Sequence, residues 1–102
     1  MIQGTTPTIR VNVKSQNVNL SLCSKIRITV VQGETVLKLD SPRVTATKNQ
    51  ALVELTQEET LGFNPGVALV QMRWLTADGK AEASRIGKIT VYESLDKEAM
   101  DG

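Results

Sequence analysis

Alternation of apolar and polar residues is the strongest signal along this chain. Residues 8–13, 25–31 and 67–75 each place apolar side chains at every second position, which is the period of a β-strand with one buried face. This pattern predicts three long strands that each turn one side towards a common core. The inward set of 67–75 is uniformly apolar and consists of Ala68, Val70, Met72 and Trp74.

Turn residues separate these strands from shorter ones. Residues 32–35 contain Gly33 and have the length of a hairpin turn, and residues 48–50 form a second turn between the short strands 44–46 and 51–55. A third hairpin turn, at 76–80, contains Asp-Gly, and Gly87 inside the last strand predicts a bulge or a bend. The chain therefore has about seven short strands joined by turns.

One helical turn interrupts this series of strands. Thr56 and Glu59 have the spacing of a capping box, in which the Thr hydroxyl accepts from the Glu N–H and the Glu carboxylate reaches back. The helix cannot run far, because Gly62 and Asn64-Pro65-Gly66 follow. We expect a single turn near residues 56–61 that places Leu61 and Phe63 under the core.

Many short strands with one helical turn indicate an antiparallel sandwich or barrel. The helical turn lies between the fifth and sixth strands, ahead of a long strand and a tight hairpin, and this order resembles an immunoglobulin-like β-sandwich. We expect that single domain to span 1–92 and a charged, weakly packed tail to span 93–102. Residues 15–24 are either an irregular edge segment or a loop that dips into the core. The predicted core consists of Ile9, Val11, Ile28, Leu55, Phe63, Val70, Met72, Ile89 and Val91.

Charge and targeting features exclude several kinds of partner. The 102 residues carry 12 basic and 11 acidic side chains, interleaved to a net charge of +1, whereas nucleic-acid binding needs clustered basic residues. No apolar run approaches the ~20 residues that cross a bilayer, and the first ten residues lack the features of a signal peptide. The single cysteine, Cys23, reads as a structural thiol in a reducing compartment. We predict no nucleic-acid or membrane partner and no secretion by a signal peptide.

The residues needed for common catalytic chemistry are also missing. The sequence has no histidine and one cysteine, which excludes Ser-His-Asp and Cys-His catalysis and cysteine-rich zinc sites. The adjacent acids Glu58 and Glu59 diverge by roughly 100° on a helix and fit capping better than catalysis. We predict no catalytic, cofactor or metal residues and no small-molecule substrate. Trp74 is either a core residue or a binding hot spot.

Four apolar residues fall on the outward side of the long strands: Val31, Val67, Leu69 and Leu75. Such residues are hard to explain on a fully solvated surface. They are the candidate partner-interface residues, and we expect a homo-oligomer that buries them symmetrically. The alternative is that the domain covers both faces of its long strand by itself.

Three stretches resemble a known group of proteins: IQGTTPTIRV at 2–11, LTQEETLGF at 55–63 and VQMRWLTADGKAEASRIGKITV at 70–91. They resemble small proteins encoded in prophages and tailed phages of Gram-positive bacteria, which are similar to the amino-terminal domain of phage baseplate upper proteins. Residues 15–24 fit poorly. The resemblance implies a structural protein of the virion or tail that contacts other phage structural proteins, either in the particle or in the host cytoplasm during assembly. The alternative is a stand-alone module that binds a carbohydrate or host-surface ligand.

Overall fold

A computed structural model describes residues 1–15 and 17–102 as a sandwich of two antiparallel sheets. One sheet has the strand order β1-β5-β4. The other has the order β3-β2-β6, and both β7 and β8 pair with the far side of β6. The elements are β1 (Thr8–Asn12), β2 (Lys25–Gln32), β3 (Thr35–Asp40), β4 (Thr45–Ala46), β5 (Gln50–Glu54), α1 (Gln57–Leu61), β6 (Gly66–Leu75), β7 (Ala81–Ala83) and β8 (Gly87–Val91).

The core lies between the two sheets, as the alternation of the long strands predicts. The inward residues of β2 and β6 are all buried, and they pack against inward residues of β1 and β5. Of the predicted core, Val11 and Ile89 are half-buried and the other seven residues are buried. Trp74 is only 6% exposed, so it is a packing residue, and its indole N–H donates to the Glu82 carboxylate at 2.9 Å. The predicted all-β sandwich is confirmed.

The last strand of the prediction is two strands, β7 and β8, which makes eight strands in place of seven. Arg73 pairs with Ala83 and Val70 pairs with Gly87, so the two residues of β6 between these pairs lie opposite three residues, 84–86. Ser84 closes this bulge, because its N–H donates to the Met72 carbonyl at 2.8 Å and its hydroxyl accepts from the Met72 N–H at 3.0 Å. The bulge expected near Gly87 is therefore present, just before that glycine.

The helical turn begins as the capping box predicts. The Thr56 hydroxyl accepts from the Glu59 N–H at 3.2 Å, and the Glu59 carboxylate accepts from the Thr56 N–H at 2.8 Å. Phe63, just after the turn, is buried. The turn thus carries the chain from the three-stranded sheet to β6.

The amino-terminal segment packs directly on this helical turn. Thr60 is fully buried, and its hydroxyl accepts from the Gly4 N–H and donates to the Thr5 carbonyl, both at 2.9 Å. Gly4 has φ +77°, a backbone conformation that favours glycine. A Cβ at this position would lie 3.5 Å from the Leu61 side chain. The amino-terminal segment and the helical turn are therefore joined through the buried side chain of Thr60.

The two segments without clear strand patterns differ in how they pack. Leu20 is buried at the start of a short 3-10 helix, Leu20–Leu22, so the segment before β2 dips into the core. The tail after β8 is largely exposed, including Leu95 and Met100. Its main attachment near the end is a pair of hydrogen bonds between the Gln57 amide and the Met100 backbone, at 3.1 and 2.7 Å.

Candidate protein-contact surface

The outer face of the five-stranded sheet brings three of the four candidate residues together. Directly paired residues of antiparallel strands point to the same face, and the register pairs Val31 with Leu69 of β6 and with Val36 of β3. Val67 lies two residues before Leu69 and shares its face. We call Val31, Val36, Val67 and Leu69 the outer apolar patch.

Most of this patch is open to solvent. Val36, Val67 and Leu69 are 53%, 55% and 40% exposed, and Val31 is half-buried. Isolated exposed apolar residues are common on protein surfaces, whereas contiguous ones mark sites of interaction. The described part of the chain does not cover this side of β6, so the alternative of a domain that buries both faces of its long strand is wrong.

Leu75 lies apart from the patch. It is six positions beyond Leu69, about 20 Å along the strand, and it is 37% exposed. There it lines a shallow depression of about 200 Å³ with Lys25 and Arg73. The direct strand partners of Leu75 are Lys25 and Ala81, whereas those of Leu69 are Val31 and Lys88, so a basic residue also borders the outer apolar patch.

Val36 is the member of the patch that the sequence analysis did not single out. Its position follows from the hairpin between β2 and β3, whose two-residue loop, Gly33-Glu34, pairs Gln32 with Thr35. The next pair in that register is Val31 with Val36. A two-residue loop fixes the register of a hairpin, so this signal was present in the sequence.

The other end of the outer face is basic. Arg27 and Arg73 are directly paired across β2 and β6, an arrangement of like charges that opposes folding. Asp40 relieves Arg27 through two contacts, Nε–Oδ1 at 2.5 Å and Nη2–Oδ2 at 3.2 Å. The hydrogen bond from Arg27 is the main reason that the pKa of Asp40 lies below its usual value. Arg73 forms no salt bridge with the described residues.

The remaining groups that could carry chemistry are occupied or unfavourably placed. Burial, and then the charge of Glu82, raise the pKa of the Cys23 thiol, which disfavours the reactive thiolate. Glu59 caps α1 and also accepts from Arg43, with Nη1–Oε2 at 2.7 Å. Its pKa is lowered, chiefly by that hydrogen bond. In residues 1–15 and 17–102, no three His, Cys, Asp or Glu side chains are grouped to hold a metal ion, and no helix is long and apolar enough to cross a membrane.

No known protein family, curated protein or solved structure matches this chain. The resemblance to phage proteins therefore rests on the sequence motifs alone.

Proposed function

We propose that this chain is a non-enzymatic structural or assembly protein of a tailed phage or prophage, associated with the virion or its tail, that acts through protein–protein contacts. The observation that carries the proposal is the outer apolar patch. The patch lies on the five-stranded sheet and faces away from the core. An exposed patch of this kind is explained by a partner that covers it.

A second copy of the chain is one partner that fits the outer face. A two-fold axis through the patch would place Val67 and Leu69 of one copy against the same residues of the other, which is the geometry of most homodimers. If that axis is perpendicular to β6, it sends the basic ends around Arg73 to opposite ends of the dimer, which avoids repulsion between them. A basic end left free in this way suits the acidic surface of another structural protein.

The resemblance supplies the biological setting of the proposal. Its motifs at 2–11 and 55–63 meet at the buried side chain of Thr60, and they do not contribute to the patch. The motifs therefore support the fold and its setting in phage particles, whereas the exposed residues support the mode of action.

Purified particles test the proposal. Particles induced from the host should contain the wild-type chain, and Leu69→Lys should greatly reduce its incorporation, because a charge at the centre of the patch must be desolvated on contact. Leu22→Lys is the matched control, since Leu22 is exposed elsewhere on the domain. Absence of the chain from both the particles and their assembly intermediates would contradict the proposal. Binding of the isolated domain to host cell-wall glycan would then favour the stand-alone binding module.

A further inference from the structure

An open groove runs along one side of the sandwich, away from the outer apolar patch. It lies between β1 of one sheet and β7–β8 of the other, and its volume is about 920 Å³. Apolar side chains from both sheets form its floor: Ile9, Val11, Val70 and Ile89. We call this feature the edge groove.

The β1 side of the edge groove is an unpaired strand edge. β1 pairs only with β5. On the side that faces β5, the Pro7 carbonyl accepts from the Leu55 N–H at 2.9 Å. The Val13 N–H donates to the Asn49 carbonyl at 2.8 Å. Since backbone groups alternate along a strand, the N–H and C=O groups of Thr8, Arg10 and Asn12 point away from β5. Those groups form a row that another strand could pair with.

The opposite side of the groove is only partly covered. Where β8 ends, the Thr90 carbonyl accepts from the Met1 amino group at 2.9 Å, and the Tyr92 N–H donates to the Met1 carbonyl at 2.7 Å. Lys88 lies two residues before Thr90, so its backbone N–H and C=O also point away from β6. The amino-terminal segment does not extend as far as Lys88. The groove is therefore open where Lys88 and the bulge before Gly87 face β1.

Basic residues surround the apolar floor. The charged residues that line the groove are Arg10, Lys14, Arg85, Lys88 and Glu82. Lys88 pairs with Leu69, so its side chain points to the outer face. Of the other four, three are basic, and the carboxylate of Glu82 already accepts from the Trp74 indole at 2.9 Å. Charges on edge strands discourage indiscriminate pairing. Here they also select which strand can enter, because an acidic segment is attracted and a basic one is repelled.

We propose that the edge groove binds an extended acidic peptide segment of a partner protein by adding it as a strand to β1. Alternate side chains of such a segment face opposite sides. One set would contact the apolar floor, and the acidic set between them would meet Arg10, Lys14 and Arg85. Main-chain hydrogen bonds to β1 would supply affinity, and the two side-chain sets would supply specificity. This site goes beyond the proposed function, since it uses a different side of the molecule.

Fluorescence anisotropy with synthetic peptides tests the proposal on the full chain. The probe is a fluorescein-labelled peptide of alternating Val and Glu, about eight residues long, which matches β1 and its flanks at roughly 3.3 Å per residue. We expect saturable binding that weakens with added salt. We expect no binding of the Val-Lys counterpart, and none of a Val-Glu peptide N-methylated at the alternate positions that would pair with β1.

Variants locate the binding. Arg10→Glu combined with Arg85→Glu should weaken binding at least about tenfold, because two attractions become repulsions in a partly enclosed groove. The control, Lys38→Glu with Lys48→Glu, makes the same charge change at exposed positions outside the groove and should leave binding within about twofold. Arg10→Pro should weaken binding more than Arg10→Ala, since proline removes only an outward N–H of this edge strand. Retained thermal unfolding would show that each variant is folded.

Each failure overturns the proposal. Absent binding of the Val-Glu peptide excludes the site, and equal binding of its N-methylated form means attraction by charge without strand addition. Equal weakening by the control pair places the binding outside the groove. Binding of maltohexaose in the groove, without binding of the peptide, would assign it to a carbohydrate.

Discussion

Two buried polar side chains attach the amino-terminal segment to the rest of the domain by hydrogen bonds. Thr60 is fully buried, and its hydroxyl both accepts from Gly4 and donates to Thr5. Gln3 is also buried, and its side-chain N–H donates to the Phe63 carbonyl at 2.6 Å. A buried polar group is tolerated only when it is hydrogen-bonded. These two side chains therefore fix the path of the segment across α1.

Thr60→Val should destabilise the domain by about 1–3 kcal/mol, because valine keeps the shape but removes the partner of two part-buried backbone groups, the Gly4 N–H and the Thr5 carbonyl. Thr60→Ser keeps the hydroxyl and should cost less. Urea denaturation followed by circular dichroism measures both. Equal stability of Thr60→Val and the wild type would show that these hydrogen bonds contribute nothing.

The Arg43–Glu59 ion pair predicts a dependence of stability on pH. The folded-state pKa of Glu59 is lowered, below an unfolded value of about 4.3. Its contribution is therefore fully present above that value and is lost as the pH falls through the folded-state pKa. In Glu59→Gln, which can still cap the helix, this part of the acid-induced loss should disappear.

Unfolding temperatures across the acidic range measure this effect. Glu58→Gln is the matched control, since Glu58 is the exposed neighbour and has no ion pair among the described residues. It should follow the wild type. Wild-type behaviour of Glu59→Gln throughout the acidic range would refute the linkage.

At the scale of elements, β6 serves two purposes with its two faces. Its inward residues fill the core, while Val67 and Leu69 on the outward face are exposed. It is also the strand with which β2, β7 and β8 all pair. Substitutions on its two faces should therefore have different consequences.

Met72→Ala should cost about 2–5 kcal/mol, through lost burial and the cavity left behind, because Met72 is completely buried. Leu69→Ala, on the other face of the same strand, should cost much less in the isolated domain. Chemical denaturation of both variants compares them. A similar loss for Leu69→Ala at protein concentrations where the chain is monomeric would mean that the outward face is part of the core.

How far the sequence predicts these elements depends on the range of the interactions that form them. Alternation within β2 and β6, and the capping box at Thr56, are local patterns. The two strands and the helical turn that they indicate were predicted correctly. Gly87 indicates a bulge or a bend in the last strand, but its division into β7 and β8 depends on hydrogen bonds of Ser84 with Met72, twelve residues away, which no local pattern shows. Val36 belongs to the patch because the hairpin register pairs it with Val31. Predicting its position therefore requires the register of β2 and β3 as well as the alternation within each strand.

At the scale of the whole molecule, two surfaces remain available on different sides of one domain. The outer apolar patch lies on the open face of the five-stranded sheet, and the edge groove lies between the two sheets. A protein with two separate contact surfaces can be repeated within an assembly and also bind a different partner. Structural parts of a particle need both kinds of contact.

Light scattering across a wide range of protein concentration tests most directly the central claim, that copies of the chain associate through the outer apolar patch. The wild type should associate as concentration rises, and Leu69→Lys should remain monomeric. Leu22→Lys should associate like the wild type, because it adds the same charge outside the patch. A wild-type chain that stays monomeric throughout, or a Leu69→Lys variant that associates equally well, would contradict self-association through this patch.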